Sequence, residues 1–462
     1  VPIQPAVAKA LLTIFGQDNV YLDAADCWAY GYDNSKLHHP PDAVVMASSH
    51  EQVLACVALC KEHQVPLTTR GRGTGTTGAA VPTSGGIVLS LERMNQVLEF
   101  DPGNRSVRVQ AGITNLALQD YLKPHGFFWA PDPSSAEYCS IGGNLACNAA
   151  GPRAVKYGSC RDNTLRLKAV TGNAETIITG SKTSKGVVGL DLTRLLIGSE
   201  GCLAIITEAD LKLLPLPSDK NTFRVLFSSH AEASTAIQAL MAQSHTPCAL
   251  EFMDHHALDL LRQHSPLELP QAAAAMLMVE IDGDPDSLTV SSRHIENTLA
   301  ALSPLEINCA HSPEQAKELW QARKALSPIL RNLAPNKINE DVVVPIPQLS
   351  NLLTGLDQLS ERYELPIVNF GHAGNGNLHV NILYDAADPI QDQHAKHCLP
   401  EVFSLVLSLD GTLSGEHGVG IAKRDYVDRE LGQAELRLMR QIKQQFDPDL
   451  ILNPNKGWPT ES

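Results

Sequence analysis

Along this chain the hydrophobic pattern switches between a period of two and a period near 3.6, and the switches mark its elements. Apolar runs at 43–46, 65–69, 87–91, 97–100 and 106–110 read as strands, the last two joined by the turn Asp101-Pro102-Gly103-Asn104. Helical spacing fills 51–63, where Ser49 and Gln52 make a capping box, and again 115–122. Further strands are expected at 204–207 and 209–214. The polar, proline-containing stretch at 215–221 reads as a linker. Beyond it come strands at 222–227, 249–253, 275–281, 342–344 and 367–370, and helices at 231–242, 255–263, 285–302 and 314–331, with Pro328 kinking or ending the last. This alternation predicts an α+β fold with helices on one face of a sheet. A final helix at 434–446 runs into the proline-rich FDPDLILNPNKGWP, expected on the surface of another domain. The expected domains are 1–217, 218–430 and a returning segment, 431–462.

Composition narrows the function classes. A chain of 462 residues is too long for one ordinary core. A formal net charge of −15 argues against nucleic acid or an anionic membrane as the main partner. No uninterrupted apolar run is long enough for a transmembrane helix, and the opening VPIQPAVAKALLTIFG lacks the flank and cleavage site of a signal peptide. The ten cysteines stand singly with no C-x-x-C pair, which speaks against an iron–sulfur cluster or zinc knuckle and for a reducing, cytoplasmic setting. Cys56 and Cys60, one helical turn apart, read as core.

The stretch VPLTTRGRGTGTTG at 65–78 is the strongest local signal. Glycines 71, 73, 75 and 78 permit positive φ and close approach to a ligand, Thr74, Thr76 and Thr77 add hydroxyls, and Arg70 and Arg72 add charge. Bare N–H groups beside guanidinium groups suit a pyrophosphate. The G-x-G-x-x-G pattern is met literally, but a strand follows where the dinucleotide fingerprint needs a helix, and the Walker Gly-Lys-Ser/Thr is absent. A ligand-free glycine-rich loop is the plain alternative. Residues 131–158 and 192–203 are similarly rich in small residues, consistent with backbone packed against a flat ligand or with tight helix-on-sheet packing.

The second chemical region is NFGHAGNGNLHVNI at 369–382, where His379 and Asn381 share a strand face, followed by SGEHGVG at 414–420. His372, His379 and Glu416 make a His₂Glu set of the kind a catalytic zinc uses, with His417 placed as a base. Loop histidines that merely satisfy backbone groups are the alternative. Arg323 and Lys337 are candidates for gripping a carboxylate, against the commoner fate of a solvated face.

Together RGRGTGTTG, PDPSSAEYCSIGGNLACNAAGPRAVKYG and DLTRLLIGSEGCLAIITEADLKL resemble the FAD-binding domain of the vanillyl-alcohol oxidase/p-cresol methylhydroxylase flavoproteins. FGHAGNGNLHVNI and SGEHGVGIAKRDYV resemble the C-terminal half of its D-2-hydroxy-acid dehydrogenase branch, which includes D-lactate dehydrogenases, D-2-hydroxyglutarate dehydrogenases and the flavin subunit of glycolate oxidase. The resemblance spans about 41–458. It implies an α+β protein: a two-subdomain FAD-binding domain (1–217), a substrate- and metal-binding cap domain (218–430), and a C-terminal segment returning to the FAD domain. It implies non-covalent FAD, since threonines stand where some relatives have a flavin-linked histidine. The pyrophosphate would lie on Arg70, Gly71, Arg72, Gly73, Thr74, Gly75, Thr76 and Thr77. Pro133, Ser134, Cys139, Ser140, Gly142, Gly143, Asn144, Asn148, Ala149, Gly151, Tyr157, Glu200, Gly201, Ile205, Ile206 and Asn455 would line the rest. It implies Zn2+ or another divalent metal on His372, His379 and Glu416, His417 as base, and Arg323, Lys337 and Asn381 at the reacting acid.

The implied reaction is oxidation of a D-2-hydroxy acid, with hydride passing to flavin N5 and electrons leaving to a quinone, a cytochrome or an electron-transfer flavoprotein. Ser327 stands where D-2-hydroxyglutarate enzymes have a hydroxyl residue, but Asn339 stands where they have lysine, and Lys337 lies two residues earlier. D-lactate is therefore favoured, with D-2-hydroxyglutarate or glycolate as alternatives. The other classes are a His₂Glu hydrolase with structural glycine loops and a non-catalytic flavin subunit of a larger complex. The expected setting is cytoplasmic or peripheral at a membrane, with a homodimer as one assembly.

Overall fold

The computed structural model describes residues 3–310 and 312–459; the outer ends of the first and last expected segments, and residue 311, lie outside the described residues. The chain divides into two compact units. The first takes residues up to Ala150, Gly158–Leu216 and residues from Glu416 on; the second takes Gly151–Tyr157 and Pro217–Gly415.

Among the described residues, the first unit holds a four-stranded sheet, a five-stranded sheet and a two-stranded pair. Strands β1 (Val20–Tyr21), β2 (Ala43–Met46), β3 (Leu67–Arg70) and β4 (Ile87–Ser90) form the first in the order β1-β2-β4-β3, with β2, β4 and β3 parallel. Helix His50–His63 is the crossover from β2 to β3. Ser49 caps it by accepting the Gln52 N–H at 3.3 Å, but the Gln52 side chain returns to the Ser48 N–H, one residue before the position a capping box uses. Cys56 and Cys60 point from this helix into the core with Leu67, Ile87 and Leu89, as their spacing predicts.

The other sheet is antiparallel, built from β5 (Val97–Asp101), β6 (Ser106–Gln110), β8 (Thr164–Thr171), β9 (Thr176–Gly180) and β10 (Ala204–Lys212) in the order β5-β6-β10-β8-β9. A short pair, β7 (Phe127–Phe128) with β11 (Leu214–Pro215), closes the unit's strand set. The expected break within 204–214 is a register shift between Ile206 and Glu208 in one continuous strand. Polar positions of β8 are answered across the sheet: Arg166 pairs with Asp210 at 2.6 Å and Lys168 with Glu208 at 2.9 Å.

The C-terminal stretch does not lie on a surface, as its prolines suggested. Leu452 bridges Leu67 in parallel, the Leu67 N–H donates to Ile451 O at 2.8 Å, and Ile451 and Leu452 are buried in the first sheet's core. Two apolar side chains in NPNK-flanked sequence are enough to add a strand-like edge. Buried Lys443 secures it, donating to Asp447 Oδ2 at 2.5 Å, Cys202 O at 2.7 Å and Leu452 O at 2.8 Å.

The second unit is a seven-stranded antiparallel sheet: β12 (Asp219–Phe227), β13 (Ala249–Met253), β14 (Ala275–Gly283), β15 (Glu306–Cys309), β16 (Asn336–Val343), β17 (Ile367–Gly371) and β18 (Asn377–Tyr384), ordered β15-β12-β14-β13-β17-β18-β16. Helices cover both faces, not one. Helices His255–His264 and Pro313–Ile329 pack on the face of Leu226, Met253, Met276 and Met278. Helices His230–Ala242, Pro285–Ala300, Leu349–Tyr363 and Pro389–Ser408 pack on the other. The reason is in the strands: β13 and most of β14 are buried at successive positions, so neither face can be left to water. Pro328 falls in the last turn of its helix, which ends at Ile329. No helix among the described residues is long and apolar enough to cross a membrane.

Asp447 accepts from Lys443 and from the N–H groups of Ile451 and Leu452, so Asp447→Ala takes the counter-charge from a buried ammonium and leaves it only the carbonyls of Cys202 and Leu452. Urea unfolding is expected to show a loss of about 3–5 kcal/mol, and a smaller one for Asp447→Asn, which keeps an acceptor oxygen.

Candidate functional site

In the first unit, β3 ends in the glycine loop and β4 follows it directly, so no helix opens there. Among the described residues, none of the backbone N–H groups from Gly71 to Thr77 donates to another group of the chain. Apart from exposed Arg72 these residues are buried or half-buried, and such N–H groups need a partner, which an anion supplies. Gly73 takes φ +64° and Gly78 φ +82°. At Gly71 the constraint is space, since a Cβ would collide with Ser140 Oγ.

The two arginines do not lend their charge to this loop in the expected way. Arg70 is buried beneath it, its Nη1 donating to Tyr32 O at 2.5 Å and its guanidinium 5.7 and 6.0 Å from the Tyr30 and Tyr32 rings. A side chain at Gly73 would strike that guanidinium. Arg72 pairs with Glu92 at 2.8 Å. Backbone N–H groups, not guanidinium groups, are what the loop offers a phosphate.

Helix Ile141–Cys147 starts beside the loop, capped by Ser140 on the Gly143 N–H at 3.2 Å. Gly142 is forced by packing, since a Cβ would lie 2.7 Å from Ala111 Cβ. Gly71, Ser140, Gly142, Gly143, Glu200, Gly201, Ile205 and Ile206 line one narrow cleft together with Thr69, Ala111 and Ala146. Thr76 Oγ1 and Asn144 Nδ2 are buried, and no described residue gives either a hydrogen-bond partner. Orphaned donors and a slot walled by residues without side chains fit a flat, phosphate-bearing ligand.

Other expected positions serve the frame. Pro133 and Ser134 lie in the turn before that helix, where Pro133 O accepts the Ala136 N–H at 2.8 Å. Cys139 is buried, and burial pushes its thiol pKa up. Asn148 ends the helix in the left-handed region, its Oδ1 accepting from Ser159 Oγ and the Arg161 N–H, both at 3.0 Å. Ala149 donates to Asn144 O at 2.8 Å. Exposed Asn455 donates to Ser84 Oγ at 3.2 Å, while its buried neighbour Asn453 binds Glu200 O at 2.6 Å. Gly151 and Tyr157 belong to the second unit, where the Tyr157 hydroxyl bonds Asp282 at 2.8 Å, and burial and that carboxylate raise its pKa.

Glu200 has a further task. Its Oε1 accepts the Val419 N–H at 2.6 Å and its Oε2 the Gly420 N–H at 2.8 Å. Burial pushes its pKa up against these two bonds. Thr77 O accepts from Ile421 and Ala422 at 2.8 and 3.0 Å, and Thr77 Oγ1 donates to His417 O at 3.4 Å. The loop carrying Glu416 and His417 is thereby tied to the glycine loop.

In the second unit, register decides which polar groups meet. Residues directly opposite in an antiparallel pair share a face. Glu251 opposes Met278, Met253 opposes Phe370, Phe370 opposes His379, and His379 opposes Asp341. One face thus carries Glu251, Phe370, His379, Asn381, Asn339 and Asp341 beneath helix Pro313–Ile329. Arg323 lies on that helix's buried stripe with Leu319, Ala322 and Leu326, not on a solvated face. Its Nη2 donates to Glu251 Oε2 at 2.8 Å, and its guanidinium lies 4.6 Å from the Phe370 ring.

His372 follows β17, and its Nδ1–H donates to Glu251 Oε1 at 2.5 Å. The His372 and His379 rings meet edge-on, centroids 5.2 Å apart. Burial would push the Glu251 pKa up, but the donors His372 and Arg323, with the guanidinium's positive charge, hold it below the ordinary carboxylate value. Asn381 donates to Val368 O at 3.0 Å and accepts from Asn339 Nδ2 at 2.7 Å. Lys337 Nζ donates to Ser327 Oγ at 3.1 Å. Gly415 N–H donates to Asp341 Oδ2 at 2.8 Å, opposite His379 in register, and Glu416 is the next residue in the chain.

Sequence reasoning missed Glu251 and Asp341. The signal for Glu251 was a lone acid inside the apolar run ALEFM, since an acid is rarely buried unless paired.

Gly73→Ala meets both a left-handed φ and the Arg70 guanidinium. It is expected to weaken FAD binding about tenfold or more, read by flavin fluorescence on titrating the apoprotein, with the far-ultraviolet circular dichroism unchanged.

The comparisons agree with this geometry. Residues 41–180 match the family described as "FAD binding domain" and residues 216–457 that described as "FAD linked oxidases, C-terminal domain". The glycolate oxidase subunit GlcD of Bacillus subtilis is 35% identical over 451 residues, covering 97% of this chain and 96% of its own. A D-lactate dehydrogenase of Anaerostipes hadrus is 33% identical, covering 90% and 89%. A D-2-hydroxyglutarate dehydrogenase of Stutzerimonas stutzeri is 32% identical, covering 98% of each. Among solved structures, p-cresol methylhydroxylase with substrate bound superposes with a TM-score of 0.82 over 98% of this chain and 96% of that one, at 20% identity, a likeness of fold. The chain belongs to the FAD-linked oxidases, with the vanillyl-alcohol oxidase/p-cresol methylhydroxylase fold, and is an FAD-dependent enzyme.

Proposed function

We propose that this enzyme oxidises a short D-2-hydroxy acid, D-lactate above all, to the 2-oxo acid, and hands the electrons to a quinone, a cytochrome or an electron-transfer flavoprotein. The observation that carries the reading is buried His372, oriented by Glu251 and set edge-on to His379, in a chain whose relatives are named for hydroxy-acid oxidation. FAD, when bound, supplies a hydride acceptor. A divalent metal such as zinc, when bound, supplies Lewis acidity toward the substrate hydroxyl.

His372, His379 and Glu416 would hold that metal. The donor chemistry fits: a Nδ1–H committed to a carboxylate leaves the lone pair of a neutral imidazole on Nε2, the arrangement common to ligating histidines. His417 would take the hydroxyl proton, a role imidazole fills near neutral pH. Asn381, tied to Val368 O and Asn339, would keep the strand that carries His379 in place.

One contact favours a short acid over D-2-hydroxyglutarate. Asn339 spends its amide on Asn381 and brings no charge, so a second, distal carboxylate would find less to bind there. Glycolate is the second reading, favoured by the glycolate oxidase subunits among the relatives.

The test is an anaerobic titration of the yellow protein with D-lactate, glycolate and D-2-hydroxyglutarate, before and after chelation. D-lactate is expected to bleach the flavin band most efficiently, with loss of bleaching on chelation. Bleaching by D-2-hydroxyglutarate alone would refute the short-acid reading, and no bleaching by any of the three would leave the chain a flavin subunit without this activity. His417→Ala is expected to slow flavin reduction about 10²-fold or more in stopped flow with FAD still bound; an unchanged rate removes it from the proton transfer.

A further inference from the structure

We infer that Glu251 is a positioning residue for the proposed metal, acting through His372, and that Arg323 serves it by fixing the carboxylate. The inference rests on the metal reading of His372, His379 and Glu416. Glu251 is 1% exposed in the middle of the seven-stranded sheet, far too buried to be a solvated acid. Its two oxygens have separate partners: Oε1 accepts from His372 Nδ1 at 2.5 Å and Oε2 from Arg323 Nη2 at 2.8 Å. Arg323 is itself packed in the buried stripe of its helix and over the Phe370 ring. A carboxylate gripped at both ends cannot rotate, and an acceptor-only oxygen on Nδ1 fixes which ring nitrogen carries the lone pair.

This changes the expected work of Arg323. The resemblance assigns it to a carboxylate of the reacting acid, whereas the carboxylate it grips here is that of Glu251. Its loss would reach the metal through Glu251 and His372, before any acid is bound.

Glutamine is the discriminating replacement because it is isosteric but has one acceptor where two are needed. If its oxygen faces His372, its NH₂ opposes the Arg323 guanidinium. If its oxygen faces Arg323, its NH₂ donates to Nδ1 and moves the imidazole proton to Nε2, where it blocks ligation.

The experiment strips the FAD-loaded protein with a chelator and titrates Zn2+ in competition with a chromophoric chelator, without substrate. Glu251→Gln is expected to weaken zinc binding about 10–100-fold, with the flavin spectrum near that of the wild type and the thermal midpoint lowered in a protein that still folds. Adding Arg323→Met to it removes the opposed donors, and part of the lost affinity is expected to return. Zinc binding unchanged in Glu251→Gln overturns the inference while leaving the metal reading intact. A wild-type protein that binds no zinc overturns the metal reading, and this role with it. Should Glu251→Gln not fold, Arg323→Met alone decides: weaker zinc binding supports the inference and unchanged binding overturns it.

Discussion

A carboxylate with no access to water must be met by charge and hydrogen bonds from every side it presents, and Glu251 imposes that requirement on the second unit. It sits in a strand whose other positions are apolar and buried. The neighbours that answer it come from distant parts of the chain: Arg323 from a helix above the sheet, and His372 from the turn after the adjacent strand. Removing one charge from such a set leaves the others stranded at a cost of several kcal/mol. That coupling makes the histidine's orientation a property of the whole sheet. Phe370, placed by register under Arg323, completes the support.

The first unit solves a related problem with backbone groups. Its glycine loop holds a run of N–H groups that, among the described residues, donate to no protein acceptor, and the charged side chains around it have partners elsewhere. Arg70 is folded underneath, Arg72 is drawn to Glu92, and Glu200 spends both oxygens on Val419 and Gly420. The unpaired donors define where an anion belongs, and the absent side chains of Gly71 and Gly142 define how closely a flat ligand can lie. Lys456, buried behind this region on Ala79 O and Asn453, has its pKa pulled down by that burial to about 8.

Much of this was legible before any coordinates. The glycine loop, the strand that follows it, the core role of Cys56 and Cys60 and the β13 span all follow from local pattern, because period, glycine content and apolar runs act over a few residues. The two-sided covering of the large sheet was also written in its strands, whose apolar positions do not alternate; helices on one face was the wrong reading of that pattern. The C-terminal stretch misled for a different reason. Prolines and asparagines mark it as irregular, and only the partnership of Leu452 with Leu67, far back in the chain, makes it part of a core.

By itself the sequence determined which residue types were present for the chemistry and which short segments would carry them: the N–H-rich loop at 71–77, the histidines at 372 and 379, and the acid and imidazole at 416 and 417. Only the tertiary structure decided what each charged group is paired with. Arg70, Arg72, Arg323 and Glu200 all stand at positions that local reasoning directs toward a ligand, and each of them grips another part of the protein. Local pattern records periodicity and backbone freedom, whereas ion pairs between residues tens or hundreds of positions apart depend on strand register and helix placement. Glu251 passed unnoticed for the same reason, since nothing near it in the chain reveals the histidine and the arginine that the fold brings to its two oxygens.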